Sequence, residues 1–401
     1  MRTAYMFSIF PIKGSISDID GFYCNGISAG LKAKNALDVG FIYSDTMCDV
    51  EAVFTKNRFQ AAPLRHYQRY EKGFQTNFVL INSKNANAMT GEAGIDDIDE
   101  IFAELKNRFT HIQNPVMSST GVIGVRIPKD KITSAALEFD LEAKNGENLS
   151  RAIMTTDSYP KSCFYEVKLE NGESFKIGAI AKGAGMINPN LATMLSFICT
   201  DADIPKEDMK ELLSLNSETT FNAISVDGDT STNDTVLLLA NKKSNAYDKE
   251  AFAEALRMVM HDMAMLMVAD GEGAKKAVAF EVNGAASKED AMIASKALSN
   301  SLLVKTALFG EDPNWGRIAS TIGASGVTCD EQTLTVTFKD VTVYDKGKIF
   351  FDKKMEEEAA QVLKQKSFKV ICDLGQGEES FTAYGCDLGY EYVKINADYR
   401  T

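Results

Sequence analysis

The sequence predicts an α+β protein with more than one core, on three observations. Short apolar runs ending in polar loops or bounded by polar stretches, Phe78–Ile81 and Thr235–Ala240, read as buried strands. Other segments carry apolar residues at helical spacing, most plainly Phe252, Leu256, Val259, Met263 and Met267 over residues 248–268. At 401 residues the chain is long enough for two or three units of roughly 150 residues each.

In order along the chain, residues 1–60 read as turns and short strands, punctuated by Gly26 and Gly30, with alternation over Val50–Phe54. The strand Phe78–Ile81 opens into an asparagine-rich loop, Asn82–Ala88. A helix follows over 96–108, with Ile98, Ile101, Phe102 and Leu105 on one face. Pro115–Ser118 reads as a strand opening into Ser119–Gly124, where glycine allows backbone N–H groups to face a cavity; an ordinary polar turn has the same composition. Thr155, Thr156 and Asp157 close an apolar run as a cap or turn. A helix over 204–216 has Asp203 as its cap candidate. Ser225–Asp234 is rich in oxygen ligands but lacks the spacing of a calcium loop, so it reads as a self-hydrogen-bonded turn. The methionines of the 248–268 helix read as core filler. Ala269–Lys275 then sets Glu272 between two glycines. A helix over 288–299 leads to Trp315 in a turn-rich loop. The C-terminal part reads as strands at Thr333–Phe338, Val341–Tyr344, Phe368–Cys372, Ser380–Ala383 and Tyr390–Ile395, with a helix over 354–365. The aromatic, well-mixed tail reads as ordered to its end.

Composition narrows the function. A net charge of −13 counts against nucleic acid or an anionic membrane surface as partner. Seven scattered cysteines without a C-x-x-C pair imply reduced thiols and a cytoplasmic location. Three histidines, none in an H-x-x-x-H setting, argue against a histidine triad or a transition-metal site. No signal peptide and no apolar stretch of bilayer length is read.

The stretch from Lys182 to Asp203 carries the chemistry. A glycine-bearing loop, Lys182–Gly185, leads through Asn188-Pro189-Asn190 to Ala192-Thr193 and then an apolar run from Met194 to Ile198. A small residue, a hydroxyl residue and a buried strand suit a chain that cuts itself and exposes Thr193 as a new N-terminus. Threonine needs a base, and an N-terminal threonine carries one in its own α-amino group, which titrates at about 7.7–8.0 when unperturbed.

Eight segments in order resemble one family: Asn82–Ala88, Ser119–Gly124, Met154–Asp157, Lys182–Leu195, Val226–Asp234, Ala269–Ala274, Phe309–Ile318 and Tyr392–Thr401. The family is that of ornithine acetyltransferase, also called glutamate N-acetyltransferase, of the cyclic arginine pathway. The resemblance implies antiparallel sheets layered between helices in an N-terminal-nucleophile enzyme. It implies self-cleavage between Ala192 and Thr193 into an α chain, 1–192, and a β chain, 193–401, assembled as an α2β2 heterotetramer. Thr193 then corresponds to the nucleophile, and Thr120 with Gly121 to the oxyanion hole. Thr156, Lys182, Thr193, Glu272, Asn396 and Thr401 correspond to substrate contacts. The implied reaction moves acetyl from N2-acetylornithine to glutamate without metal or cofactor, with acetyl-CoA as a further donor in bifunctional members. Three positions depart from the pattern: Lys84 replaces a usual glycine, Lys275 is followed by Lys276 where Thr-Lys is more familiar, and Ser118 stands where cysteine is common.

Two other expectations compete. A self-cleaving aminopeptidase or amidohydrolase would share Thr193 but resolve the acyl-enzyme with water. An uncleaved binding protein would keep the fold without the chemistry.

Overall fold

The computed structural model describes residues 7–188 and 194–398. Among these residues, two sheets carry the fold. The larger has nine strands. Its path runs Phe7–Pro11, Lys161–Leu169, Ser174–Lys182, Leu195–Thr200, Thr235–Ala240, Val39–Phe54, Gln75–Asn82 and Val116–Ser119, and Phe22–Ile27 pairs with Val39–Phe54 beside that path. The smaller has seven: Lys348–Ile349, Val341–Asp345, Thr335–Phe338, Ser367–Asp373, Ala277–Ala285, Glu379–Cys386 and Ile224–Ser225. Most neighbours are antiparallel, with four parallel pairs. Two of these meet the site described below: Gln75–Asn82 with Val116–Ser119 at their C-terminal ends, and Leu195–Thr200 with Thr235–Ala240 at their N-terminal ends.

The large sheet is buried on both faces, so its central strands are apolar throughout rather than alternating. Val236 and Leu238 meet the helices Lys206–Thr219 and Lys249–Ala269, whereas Leu237 and Leu239 pack with Phe22, Ile42 and Phe197 on the other side. The helix Lys249–Ala269 lies between the layers, touching Lys161–Leu169 and Ser174–Lys182 of one sheet and Glu379–Cys386 of the other. It buries Met260, Met263 and Met267 in the core, as expected of filler. Asp248 caps it, accepting from the Ala251 N–H at 2.8 Å. A second core joins Val278, Phe280 and Val282 to the helices Lys288–Asn300 and Lys353–Leu363.

Several elements differ from their sequence expectation. Residues 1–60 hold one long strand, Val39–Phe54, bridging Phe22–Ile27 to the sheet centre. Tyr390–Ile395 is helical, within Tyr390–Asp398, although its aromatic and β-branched residues favour a strand. None of its residues is buried, so no apolar stripe marks the helix. Trp315 opens a helix, Trp315–Ala324, capped by Asn314 Oδ1, and stacks on Tyr344 with ring centroids 5.0 Å apart. No described helix is long and apolar enough to cross a membrane.

Candidate active site

A cleft of about 210 Å³ opens where one of these parallel strand pairs ends and the other begins. Thr120, Gly121, Thr156, Lys182, Glu272 and Asn396 all line it, together with Met194. Six candidates from five separate stretches of sequence therefore meet in one place. Ala192, Thr193 and Thr401 lie outside the described residues. Thr193 is bonded directly to Met194, whose carbonyl accepts from the Thr235 N–H at 2.9 Å, so the described chain resumes at the cleft wall.

Buried asparagines build the loop that carries Thr120 and Gly121. Asn82 Nδ2 donates to the Asn85 carbonyl at 2.9 Å, and its Oδ1 accepts from Ser119 Oγ at 2.6 Å. Asn233 Nδ2 donates to the carbonyls of Ala86 and Ser119 at 2.6 and 2.9 Å. Three loops distant in sequence are thereby locked by hydrogen bonds that water cannot reach. Gly121 takes φ +132°, and a Cβ there would sit 2.2 Å from the Lys84 carbonyl carbon. The rigid Lys84–Asn85 backbone against it leaves room for glycine alone.

Lys182 ends the strand Ser174–Lys182 and donates from Nζ to Thr120 Oγ1 at 3.4 Å. Burial pulls its ammonium below the ordinary lysine range, opposed chiefly by Asp157. Asp157 is itself buried, yet Lys182 and Lys161 outweigh desolvation and hold its carboxyl down at about 2. Its Oδ1 accepts from the Gly183 N–H and from Lys161 Nζ, each at 2.7 Å, and Oδ2 accepts from the Thr155 N–H at 3.0 Å. Lys161 Nζ also donates to Asp270 Oδ2 at 2.6 Å. A buried Asp157–Lys161–Asp270 chain thus lies beside Lys182 and fixes the backbone just after it through the Gly183 N–H.

Glu272 follows the end of the helix Lys249–Ala269, with its N–H bonded to the Ala184 carbonyl at 2.8 Å. Asn396 Nδ2 donates to Glu272 Oε2 at 2.6 Å, bringing the C-terminal helix over the cleft. Gly185 has no side chain for a reason visible here: a Cβ would lie 2.3 Å from the Glu272 carboxyl. Asp227 sits at the cleft edge. Burial raises its carboxyl above the usual value, against the N–H groups of Asp229, Met186 and Ile187 that favour the anion.

The sequence expectation for Ser225–Asp234 was a turn bonded to itself. Asp227 does accept from the Asp229 N–H, but its shorter bonds reach across to Met186 and Ile187. Lys161, Asp270 and Tyr392 were not singled out as site residues. Lys161 has Asp157 four residues before it, but its second partner, Asp270, lies in a distant segment that nothing local links to it. Tyr392 had one, standing four residues before Asn396. Among the described residues, no group of three or more His, Cys, Asp and Glu could hold a metal ion.

The model of the ArgJ family matches residues 23–401. The chain belongs to the ArgJ family. A relative from Wolinella succinogenes, the arginine biosynthesis bifunctional protein ArgJ, is 61% identical over 396 residues, spanning 99% of this chain and 100% of that relative. A glutamate N-acetyltransferase from Methanothermobacter thermautotrophicus is 40% identical over 408 residues, spanning 99% and 100%. A crystal structure of arginine biosynthesis bifunctional protein argJ from Bacillus halodurans, 38% identical, covers 52% of this chain and 100% of its own, with a TM-score of 0.48. This membership bears out the resemblance drawn from the eight ordered segments.

Proposed function

We propose that this ArgJ-family enzyme carries acetyl on Thr193 between two amino-acid substrates. The chain is a glutamate N-acetyltransferase of arginine biosynthesis, in line with its family and the names of its relatives. Membership favours this activity over an aminopeptidase. The observation that carries the mechanism is the meeting of Thr120, Gly121, Thr156, Lys182, Glu272 and Asn396 around the cleft that Met194 enters.

In the proposed cycle Thr193 Oγ attacks the acetyl carbonyl of N2-acetylornithine, and the α-amino group of Thr193 takes the proton. Negative charge gathers on the carbonyl oxygen. Thr120 and Gly121 supply donors there, and a single preset donor of this kind lowers a barrier by about 2.7–4 kcal/mol. The C–N bond then breaks, the proton passes to the leaving nitrogen, and ornithine departs. The amine of glutamate attacks the acetyl-threonine ester to give N-acetylglutamate and free Thr193. Lys182 pairs with a substrate carboxylate, Glu272 with an ammonium, and Thr156, Asn396 and Thr401 close the pocket. Acetyl-CoA serves as a second donor under the bifunctional form of this proposal.

Maturation uses the same hydroxyl: its attack on the Ala192 carbonyl breaks the Ala192–Thr193 peptide bond and forms an ester, which water then hydrolyses to give chains 1–192 and 193–401. The strand Leu195–Thr200 sits between Ser174–Lys182 and Thr235–Ala240, so the cut chains stay joined through sheet pairing. We place two of each in an α2β2 assembly. Intact-mass analysis after brief exposure to N2-acetylornithine tests the whole scheme. Two chains, with one acetyl added to 193–401, are expected. Thr193→Ala should abolish cleavage and transfer, and Thr193→Ser should keep part of each. Hydrolysis without transfer to glutamate, or transfer by an uncleaved chain near 43.9 kDa, overturns it.

A further inference from the structure

One carboxylate joins the approach to the Ala192–Thr193 bond with the helix that covers the cleft. Asp227 accepts from the backbone N–H groups of Met186 and Ile187 at 2.6 and 2.9 Å. Its Oδ2 also accepts from the Tyr392 hydroxyl at 3.3 Å. The approach is held on its other side as well, because the Ile187 carbonyl accepts from the Val226 N–H at 2.6 Å and Asn188 Nδ2 donates to the Gly228 carbonyl at 3.1 Å. Met186 takes φ +54°, a left-handed conformation that a side-chain-bearing residue keeps only under outside restraint. One helical turn beyond Tyr392, Asn396 makes its bond to Glu272. The helix Tyr390–Asp398 has no buried residue, so polar contacts at the cleft weigh heavily in placing it.

We propose that Asp227 is a positioning residue with two linked duties: it fixes Met186–Asn188 so that the bond before Thr193 is presented for self-cleavage, and through Tyr392 it seats the C-terminal helix so that Asn396 meets Glu272 over the substrate. The proposal rests on the acetyl-transfer function given above. A carboxylate suits the position because only donors converge on it. An amide would keep one accepting oxygen and turn N–H groups toward N–H groups, losing a charge-assisted bond and gaining a repulsion. The Tyr392 hydroxyl bonds to the carboxylate, and Tyr392→Phe removes that bond while leaving the Asp227 bonds to Met186 and Ile187 in place, so the two duties can be separated by substitution.

Wild-type self-cleavage and acetyl transfer are measured first; failure of either counts against the function and leaves the role of Asp227 a separate matter. Asp227→Asn, compared at a temperature where circular dichroism shows it folded, should slow self-cleavage by roughly 10- to 100-fold, the scale of one lost charge-assisted hydrogen bond. Tyr392→Phe should cleave at the wild-type rate but raise KM for the amino-acid substrates roughly fivefold to tenfold, with kcat within about twofold. A merely structural loss would not split KM from kcat in this way. Tyr392 is only half-buried, so Tyr392→Phe folds and decides the second duty by itself even where Asp227→Asn fails to accumulate. Wild-type cleavage in a folded Asp227→Asn, or an unchanged KM in Tyr392→Phe, overturns the proposal.

Discussion

Replacing Gly185 with alanine adds one methyl group where the Glu272 carboxyl already sits. The new Cβ would lie 2.3 Å from both Cδ and Oε1, and 2.5 Å from Oε2. Carbon and oxygen at van der Waals contact need about 3.4 Å, so the carboxylate must retreat by about 1 Å. Its bond from Asn396 Nδ2 starts at 2.6 Å. A retreat of that size along the bond carries it past the ~3.2 Å limit of a useful N–H···O contact. A hydrogen bond to a charged group is worth about 1.5–3 kcal/mol, which converts to a loss of roughly 10- to 150-fold in kcat/KM. The methyl meets the flexible end of a side chain, so Gly185→Ala should still fold. Steady-state acetyl transfer to glutamate reads the effect, and the decisive comparison is a double-mutant cycle. In a Glu272→Ala background there is no carboxylate to displace, and Gly185→Ala should then cost less than about 0.5 kcal/mol. An equal loss in both backgrounds would refute the steric cause.

The remaining expectations concern the supports beneath the site. Asp157 has a folded-state pKa of about 2 against an ordinary 3.8, so its contribution is complete above pH 4 and lost as pH falls through its folded value. The depression corresponds to about 2 kcal/mol, and Asp157→Asn should lack that part of the acid-induced destabilisation when thermal midpoints are compared between pH 5 and pH 2. Matching acid profiles in the two proteins would show that the buried lysines do not act on Asp157. Gly121→Ala forces a methyl onto the Lys84 backbone, which cannot swing aside, so it should lower kcat by roughly 100-fold or more through the displaced oxyanion donors. Unchanged kcat in Gly121→Ala would separate that loop from catalysis. Lys161→Met leaves Asp157 and Asp270 buried without their shared cation and should destabilise by about 3–5 kcal/mol, read as a lower thermal midpoint.

The residues that meet in the cleft were legible because each stands in a short ordered segment of distinctive chemistry: Ser119–Gly124, Met154–Asp157, Lys182–Leu195, Ala269–Ala274 and the C-terminal tail. Elements with strong local patterns were legible too, such as the helix Lys249–Ala269 and the strand Thr235–Ala240. Tyr390–Asp398 was not, since an exposed helix lacks an apolar stripe and its aromatic residues favour a strand by propensity. The strands Lys161–Leu169 and Ser174–Lys182 carry no plain strand pattern for a related reason. Lysines occupy buried positions at the start of the first and the end of the second, and a buried lysine contradicts the usual pattern until its partners are known.

By itself, then, the sequence determined the family and pointed to the side chains proposed to carry the chemistry, because reactive groups and turn glycines are recorded locally. Tertiary structure decided what each of them faces. Asp227 became an anchor for Met186 and Ile187 as well as a turn residue, and Lys161 a buried link between Asp157 and Asp270, because hydrogen bonds and Coulomb attraction act across a few ångströms of space. The groups concerned come together only when the strands of the large sheet take their register.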